Sequence, residues 1–152
     1  MTLETLHPRH LPALYDVSST VDFWANRTIS EFIDAFSKYD GWAIVKDNKA
    51  VGYIVLCNHT PYLDIMIHCS VLPEYKSVWL TRKIYAQVFN HIFRTLNLPR
   101  CTSWAVAGSD GDSFLPRLGF QKEGTIRKGI FFNGQFHNVN TYSMLPEEQR
   151  WR

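Results

Sequence analysis

No apolar run in these 152 residues approaches the roughly 20 needed to cross a bilayer, and Met1-Thr2-Leu3-Glu4 does not open a signal peptide. No membrane partner is expected, and the cytoplasm is the expected compartment. Cysteine is scarce: Cys57, Cys69 and Cys101 make an odd set of three, each in an apolar, strand-like run. That excludes a disulfide framework and reads as reduced, buried thiols. Charge of one sign is lacking as well. Sixteen Lys and Arg against fourteen Asp and Glu leave a formal +2, too little to call for a nucleic-acid partner. The six histidines are scattered, with no Cys/His spacing that fits zinc. Ser109-Asp110-Gly111-Asp112 puts two carboxylates on a glycine turn but lacks the further ligands of a calcium loop, so no metal is expected. Glycine is the last shortage. Of eight in the chain, none falls between Asp64 and Ala107.

What is present is an ordinary core with many rings. Hydrophobic residues are 45% and charged residues 20%, near the average for a globular protein, and the length suits one domain over residues 1–152. Aromatics reach 14%, with five Trp and ten Phe. Most should be core, and exposed members could form a binding surface.

The pattern predicts a mixed α/β sheet. Leu3 to Leu6 reads as a short strand and Leu11 to Val17 as a helix. In Thr28 to Ser37, Ile29, Phe32, Ile33 and Phe36 recur at helical spacing behind a Thr28/Glu31 capping box. Gly41 to Lys46 and Ala50 to Cys57 are strands joined by a turn at Asp47-Asn48-Lys49. Tyr62 to Val71 is a third strand, ended by Pro73. Leu80, Ile84, Val88 and Ile92 step by four through a long helix, Ser77 to Leu96, stopped by Pro99. Cys101 to Val106 is a buried strand and Asp112 to Leu118 a short helix. Two last strands, Gly124 to Phe132 and Phe136 to Met144, flank Asn133-Gly134, a type I′ hairpin signal. The long helix then acts as a crossover.

Leu118-Gly119-Phe120, then Glu123-Gly124 and Arg127, set between that short helix and the hairpin, resemble the "LGF…EG…R" entry to the last strands of the GNAT superfamily of N-acetyltransferases. The element order agrees from Gly41 onward. The resemblance implies a central mixed sheet with a crossover helix and C-terminal hairpin, acetyl-CoA as cofactor and an amine as acyl acceptor, on a small molecule or a protein. It implies that the strand matching Tyr62 to Val71 parts from its neighbour to admit the pantetheine arm. It also implies that the following helix offers its N-terminus to the pyrophosphate, an anion site of unpaired N–H groups and dipole.

The family's phosphate loop reads Arg/Gln-x-x-Gly-x-Gly/Ala. Here Lys76-Ser77-Val78-Trp79-Leu80-Thr81-Arg82 stands in its place, without glycine. Lys76, Arg82, Ser77 and Thr81 retain charge and hydroxyls for a modified site. Trp79 either crowds or contacts the cofactor, or packs in the core while Ser77 caps the helix. Counting back from Gly119, the family's CoA-contacting Asn falls at Gly108 and its thiol-protonating Tyr near Leu115. Backbone amides near Val71 and Leu72 would polarise the thioester. For the base, alternation puts Asp64 and His68 on one face of their strand. Asp64 is the first candidate and His68 the second, against plain readings as a solvated carboxylate and a half-buried imidazole.

Three functions follow. One is a GNAT-type N-acetyltransferase with an altered CoA site. A second is a degenerate GNAT-like binding or assembly protein, since the missing glycine loop resembles phage-encoded, virion-associated relatives; a homo-oligomer is compatible with it. The third is a nucleic-acid-binding or base-modifying protein, using Arg127, Lys128, Phe131 and Phe132. The tail, Glu147 to Arg152, is expected to be exposed, with Trp151 free to anchor a partner.

Overall fold

A computed structural model describes residues 1–21 and 27–151. Seven strands and four α-helices are present among them: β1 (Thr2–Thr5), α1 (Leu11–Val21), α2 (Ile29–Phe36), β2 (Asp40–Lys46), β3 (Lys49–Thr60), β4 (Asp64–Val71), α3 (Arg82–Asn90), β5 (Arg100–Val106), α4 (Asp110–Leu118), β6 (Gln121–Phe132) and β7 (Gln135–Met144). No helix among the described residues is long and apolar enough to cross a membrane. The chain forms two compact units, one of Met1–Cys57 with His68–Ile84, the other of Asn58–Ile67 with Tyr85–Arg152.

In the first unit, β1, β2 and β3 pair antiparallel. The β2–β3 turn places Asp47 and Asn48 at φ 51° and 63°, the left-handed pair a two-residue hairpin needs. Alternation sends Ala43, Val45, Tyr53 and Val55 to one face, where Leu11, Leu14, Phe32 and Phe36 cover them. Phe36 stacks on Phe32 at 4.0 Å and meets Tyr53 edge-on at 5.0 Å. Helix α2 starts at the expected box: Glu31 N–H donates to Thr28 Oγ1, and Thr28 N–H donates to Glu31 Oε2, both 3.2 Å. Only part of its apolar stripe is core. Phe32 and Phe36 are buried, while Ile29 and Ile33 are 46% and 38% exposed.

In the second unit, β4 and β5 run parallel, and β5, β7 and β6 follow antiparallel, which makes the sheet mixed. The Leu118-Gly119-Phe120 turn explains its own sequence. Gly119 ends α4 at φ 114°, and a Cβ there would stand 2.3 Å from the Glu148 carbonyl oxygen. Both the dihedral and the space demand glycine. Leu118 offers its carbonyl to the Tyr85 hydroxyl at 2.7 Å, and Phe120 meets Phe89 at 6.1 Å. The hairpin turn has Asn133 and Gly134 at φ 52° and 74°, as a type I′ turn requires.

Several expectations need correction. The crossover helix starts at Arg82, not Ser77: Pro73–Tyr75 is a separate 3-10 turn, and Thr81 Oγ1 accepts the Ile84 N–H at 3.2 Å, so Thr81 and not Ser77 carries the capping contact. The helix ends in a π turn over His91–Thr95, marked by the Leu96 N–H to His91 carbonyl bond of 2.8 Å. Strand β4 begins at Asp64, because Tyr62 sits in a turn at φ 68°. Of the thiols, only Cys101 is buried; Cys57 is half-buried and Cys69 exposed. The tail is docked. Trp151 meets the Tyr85 ring edge-on at 5.0 Å and the Arg150 N–H donates to the Tyr85 hydroxyl at 2.9 Å, so Trp151 is spent within the chain. Arg152 and the Phe132 side chain lie outside the described residues.

Candidate active site

The feature of the second unit with most bearing on function is an interruption. The parallel ladder couples Asp64 with Arg100, Ile65 with Cys101 and Met66 with Thr102, and goes no further. Strand β5 continues from Ser103 to Val106, paired on β7. At the point of parting, Ser103 Oγ donates to the Ile67 carbonyl at 2.8 Å, a side chain doing what a backbone N–H does in an unbroken ladder.

Beside the parting, the sheet face of this unit is hollow, with a volume of about 510 Å³. Its walls are apolar at Met66, Trp104, Ile130 and Val139, and polar at Thr102 and Thr141. Among the described residues its charged ones are Asp64, Arg100 and Glu123. Arg100 Nη2 donates to Asp64 Oδ2 at 2.5 Å, with Asp64 only 15% exposed and Arg100 40%. Arg100 Nε is buried with no acceptor among the described residues. Glu123 Oε1 accepts the hydroxyl of Ser143, itself buried. Reading along the sequence missed Arg100 and Glu123. The signal for Arg100 was its charge, opposite to Asp64, at the start of the next parallel strand. Glu123 was hidden inside the Glu123-Gly124 motif as scaffold.

Next to the hollow lies a network on Asp112. Its carboxylate accepts from Gly108 N–H (3.0 Å), Asn140 Nδ2 (2.9 and 3.1 Å) and the Tyr142 hydroxyl (2.5 Å). These bonds, that from Tyr142 first, hold the carboxyl below its ordinary value, and burial with Asp112's charge pushes Tyr142 up to about 12. Gly108 is exposed at φ 80° with its amide already given to Asp112, which leaves it no donor for a cofactor.

The remaining expected site residues lie in the first unit. His68 is half-buried, and desolvation pushes it down to about 4, so the imidazole is neutral near pH 7 and a weak base. Asp64 and His68 share a strand, but the hollow takes in only Asp64. The loop from Val71 to Arg82 does not offer the glycine cradle. Leu72 N–H donates to the Val51 carbonyl at 2.9 Å, and the N–H groups of Tyr75, Lys76, Val78 and Trp79 go to carbonyls of Leu72, Pro73 and Tyr75. The Leu72 amide, expected to face a thioester, is thus given to a carbonyl within the chain. Trp79 is 5% exposed, so its indole has no open face for a cofactor. What suits the phosphates of CoA is the start of α3: Thr81, Arg82 and Lys83 are exposed at its first turn, and Lys76 and Ser77 are exposed in the segment that leads into it. The chain fits phosphates held at a helix end by cations and hydroxyls, and does not fit phosphates wrapped by loop amides.

This strand-and-helix arrangement is that of the GNAT acetyltransferases. A mutant form of the spermidine N-acetyltransferase SpeG from Vibrio cholerae superposes with a TM-score of 0.78 at 16% identity, covering 95% of both chains. A GNAT-family acetyltransferase of Bacillus anthracis gives 0.74 at 15%, covering 95% of this chain and 94% of its own. Among curated sequences, a Bacillus subtilis protein provisionally named a ribosomal N-acetyltransferase, YdaF, is 28% identical over 79 residues, 51% of this chain and 43% of its own. The uncharacterized N-acetyltransferase YoaA of the same organism is 25% identical over 80 residues, 52% of this chain and 45% of its own. The match thus spans less than half the length of these relatives. No protein-family model matches the chain. The chain thus has the fold of these acetyltransferases, and over about half of its length it is similar in sequence to two proteins named as N-acetyltransferases.

Proposed function

We propose that the protein transfers an acetyl group from acetyl-CoA to an amine. The observation that carries this is the parting of β4 from β5 after Met66 and Thr102. It leaves strand edge beside a hollow that holds two carboxylates and an arginine. Acetyl-CoA would supply an activated acyl thioester. Lys76, Arg82 and Lys83 would hold its phosphates by charge, with Ser77 and Thr81 adding hydroxyls. Val71 is the remaining expected donor for the thioester oxygen. In the hollow, Asp64 would take the proton that an incoming ammonium must lose. Arg100 fixes that carboxylate in place, and its single short contact leaves the second oxygen of Asp64 for the amine. His68, neutral near pH 7, is the second candidate for a proton relay. A cytoplasmic setting and a small-molecule or protein amine as partner belong to the same reading.

A specific observation favours a second reading, a GNAT-like protein that binds or assembles without turnover, of the phage-encoded kind. Its support is the loop in which the amides of Leu72, Tyr75, Lys76, Val78 and Trp79 are already committed to carbonyls. Thermal unfolding with acetyl-CoA and free CoA separates the two. At one hundred times its dissociation constant a ligand stabilises by about 2.7 kcal/mol, a rise of roughly 5–10 °C for a domain of this size. Acetyl transfer to a panel of amines is then followed by thiol release. No shift at millimolar CoA would leave the binding reading standing and remove the enzymatic one.

A further inference from the structure

The charges lining the hollow in the second unit do not cancel. Asp64 and Arg100 form a close pair and neutralise each other at 2.5 Å, while Glu123 has only the Ser143 hydroxyl among the described residues. Among the described residues no other charged side chain lines the space, so their lining carries one net negative charge. Met66, Trp104, Ile130 and Val139 make the rest of the wall largely apolar, and Thr102 and Thr141 add hydroxyl oxygens. The volume, about 510 Å³, suits one small organic molecule.

From this we infer that the hollow selects an amine with a single positive charge on an apolar or aromatic body, and disfavours a polyamine. The inference deepens the acetyltransferase reading and rests on it for the fate of the amine, though not for its binding. The ammonium has three donors. Glu123 takes one as a charge-assisted bond, and the hydroxyl oxygens of Thr102 and Thr141 are there for others. The body lies on Trp104 and Ile130, where leaving water is favourable. A second or third ammonium would find, among the described residues, only Asp64, whose charge Arg100 matches and whose one open oxygen serves the reacting amine, and would enter an apolar wall without a counter-charge. The SpeG structures share this fold, and spermidine, the substrate they are named for, carries several amines.

The experiment is calorimetric titration of the full chain, without CoA, at about 0.15 M salt, where weak surface attraction is screened. Phenethylamine, its neutral isostere 2-phenylethanol, and spermidine are the probes. Phenethylamine is expected to bind about fivefold more tightly than either of the others, the upper end for an ion pair on an exposed carboxylate. Glu123→Gln should lower phenethylamine affinity by about the same factor and leave 2-phenylethanol unchanged. Glu123 is exposed, so this variant should fold. The probe comparison on the unaltered protein decides the matter even if it does not. Spermidine binding as tightly as phenethylamine, 2-phenylethanol binding as tightly, or no binding of phenethylamine at millimolar concentration would each overturn the inference. Selective amine binding with no CoA shift would uphold the inference and sink the acetyltransferase reading. A CoA shift without amine selectivity would do the reverse.

Discussion

Replacing Tyr142 by Phe removes one oxygen and keeps the ring, so it tests the Asp112 network without opening a cavity. Tyr142 is 4% exposed, and its hydroxyl donates to Asp112 Oδ1 at 2.5 Å and lies 3.2 Å from the Asp112 carbonyl. A hydrogen bond to a charged acceptor contributes about 1.5–3 kcal/mol. Asp112 is half-buried and keeps Asn140 and Gly108, so water can replace part of the loss and the low end, about 1.5 kcal/mol, is expected. Urea unfolding at pH 7 measures this as a lower midpoint with unchanged slope. The pH dependence gives an independent check. Tyr142 is raised to about 12, so its contribution is complete below the unfolded phenol's value near 10 and is lost as pH rises from about 10 through 12. Part of the wild-type decline across that window should vanish in Tyr142→Phe. Asp112 is lowered, so its share is present above the ordinary carboxyl value and is lost as pH falls through its depressed folded value. A variant within about 0.5 kcal/mol of wild type at pH 7, or with an identical alkaline decline, would refute the network as drawn.

Gly119→Ala should cost at least about 1–2 kcal/mol for the left-handed dihedral alone, plus displacement of the Glu148 carbonyl, and lower the melting temperature by several degrees. An unchanged melting curve would count against the tight turn. Trp79→Ala should cost about 3–5 kcal/mol as a buried large-to-small change. It should not tighten CoA binding in the same titration; a tightening would mean the indole crowds the loop. Asp64→Asn leaves the Arg100 guanidinium without its charge. With Arg100 40% exposed, about 1–2 kcal/mol is expected, well under the figure for a fully buried pair. If Asp64 is the base, the same variant lowers kcat about 100-fold or more with folding intact, and a normal kcat would pass the role to His68 or water.

Much of the fold was legible because local signals and tertiary demands agree in it. The Asn133-Gly134 and Asp47-Asn48 turns, the Thr28/Glu31 box and the Leu118-Gly119-Phe120 corner each fix backbone geometry within a few residues, and each is found in the structure. Disagreement arises where partners distant in sequence decide. Ser77 to Thr81 has helical periodicity, yet the Val78 and Trp79 N–H groups close onto Tyr75 and delay the helix to Arg82. Trp151 reads as a loose terminal aromatic, and its place is set by Tyr85, 66 positions earlier in the chain.

The site was harder to read, and the reason is physical. Asp64 and Gly108 were identified by position along the chain, but their capacity for chemistry depends on Arg100 and Asp112, which complete their hydrogen bonds. A carboxylate with a guanidinium partner and one without it are identical in sequence. Asp64, the first choice as base, therefore carries no net charge into the hollow together with its partner, while Glu123, taken as part of a structural motif, supplies the free one. The glycine-free loop can be weighed in the same terms. Missing glycines do not by themselves abolish an anion site, because the first turn of α3 and its exposed cations do not need them. What they remove is close wrapping by loop amides, so phosphate affinity here should depend on charge and weaken with salt. A CoA affinity insensitive to salt would imply buried, directional contacts that this loop does not provide. Titrating CoA at two ionic strengths therefore tests the reading of the loop itself.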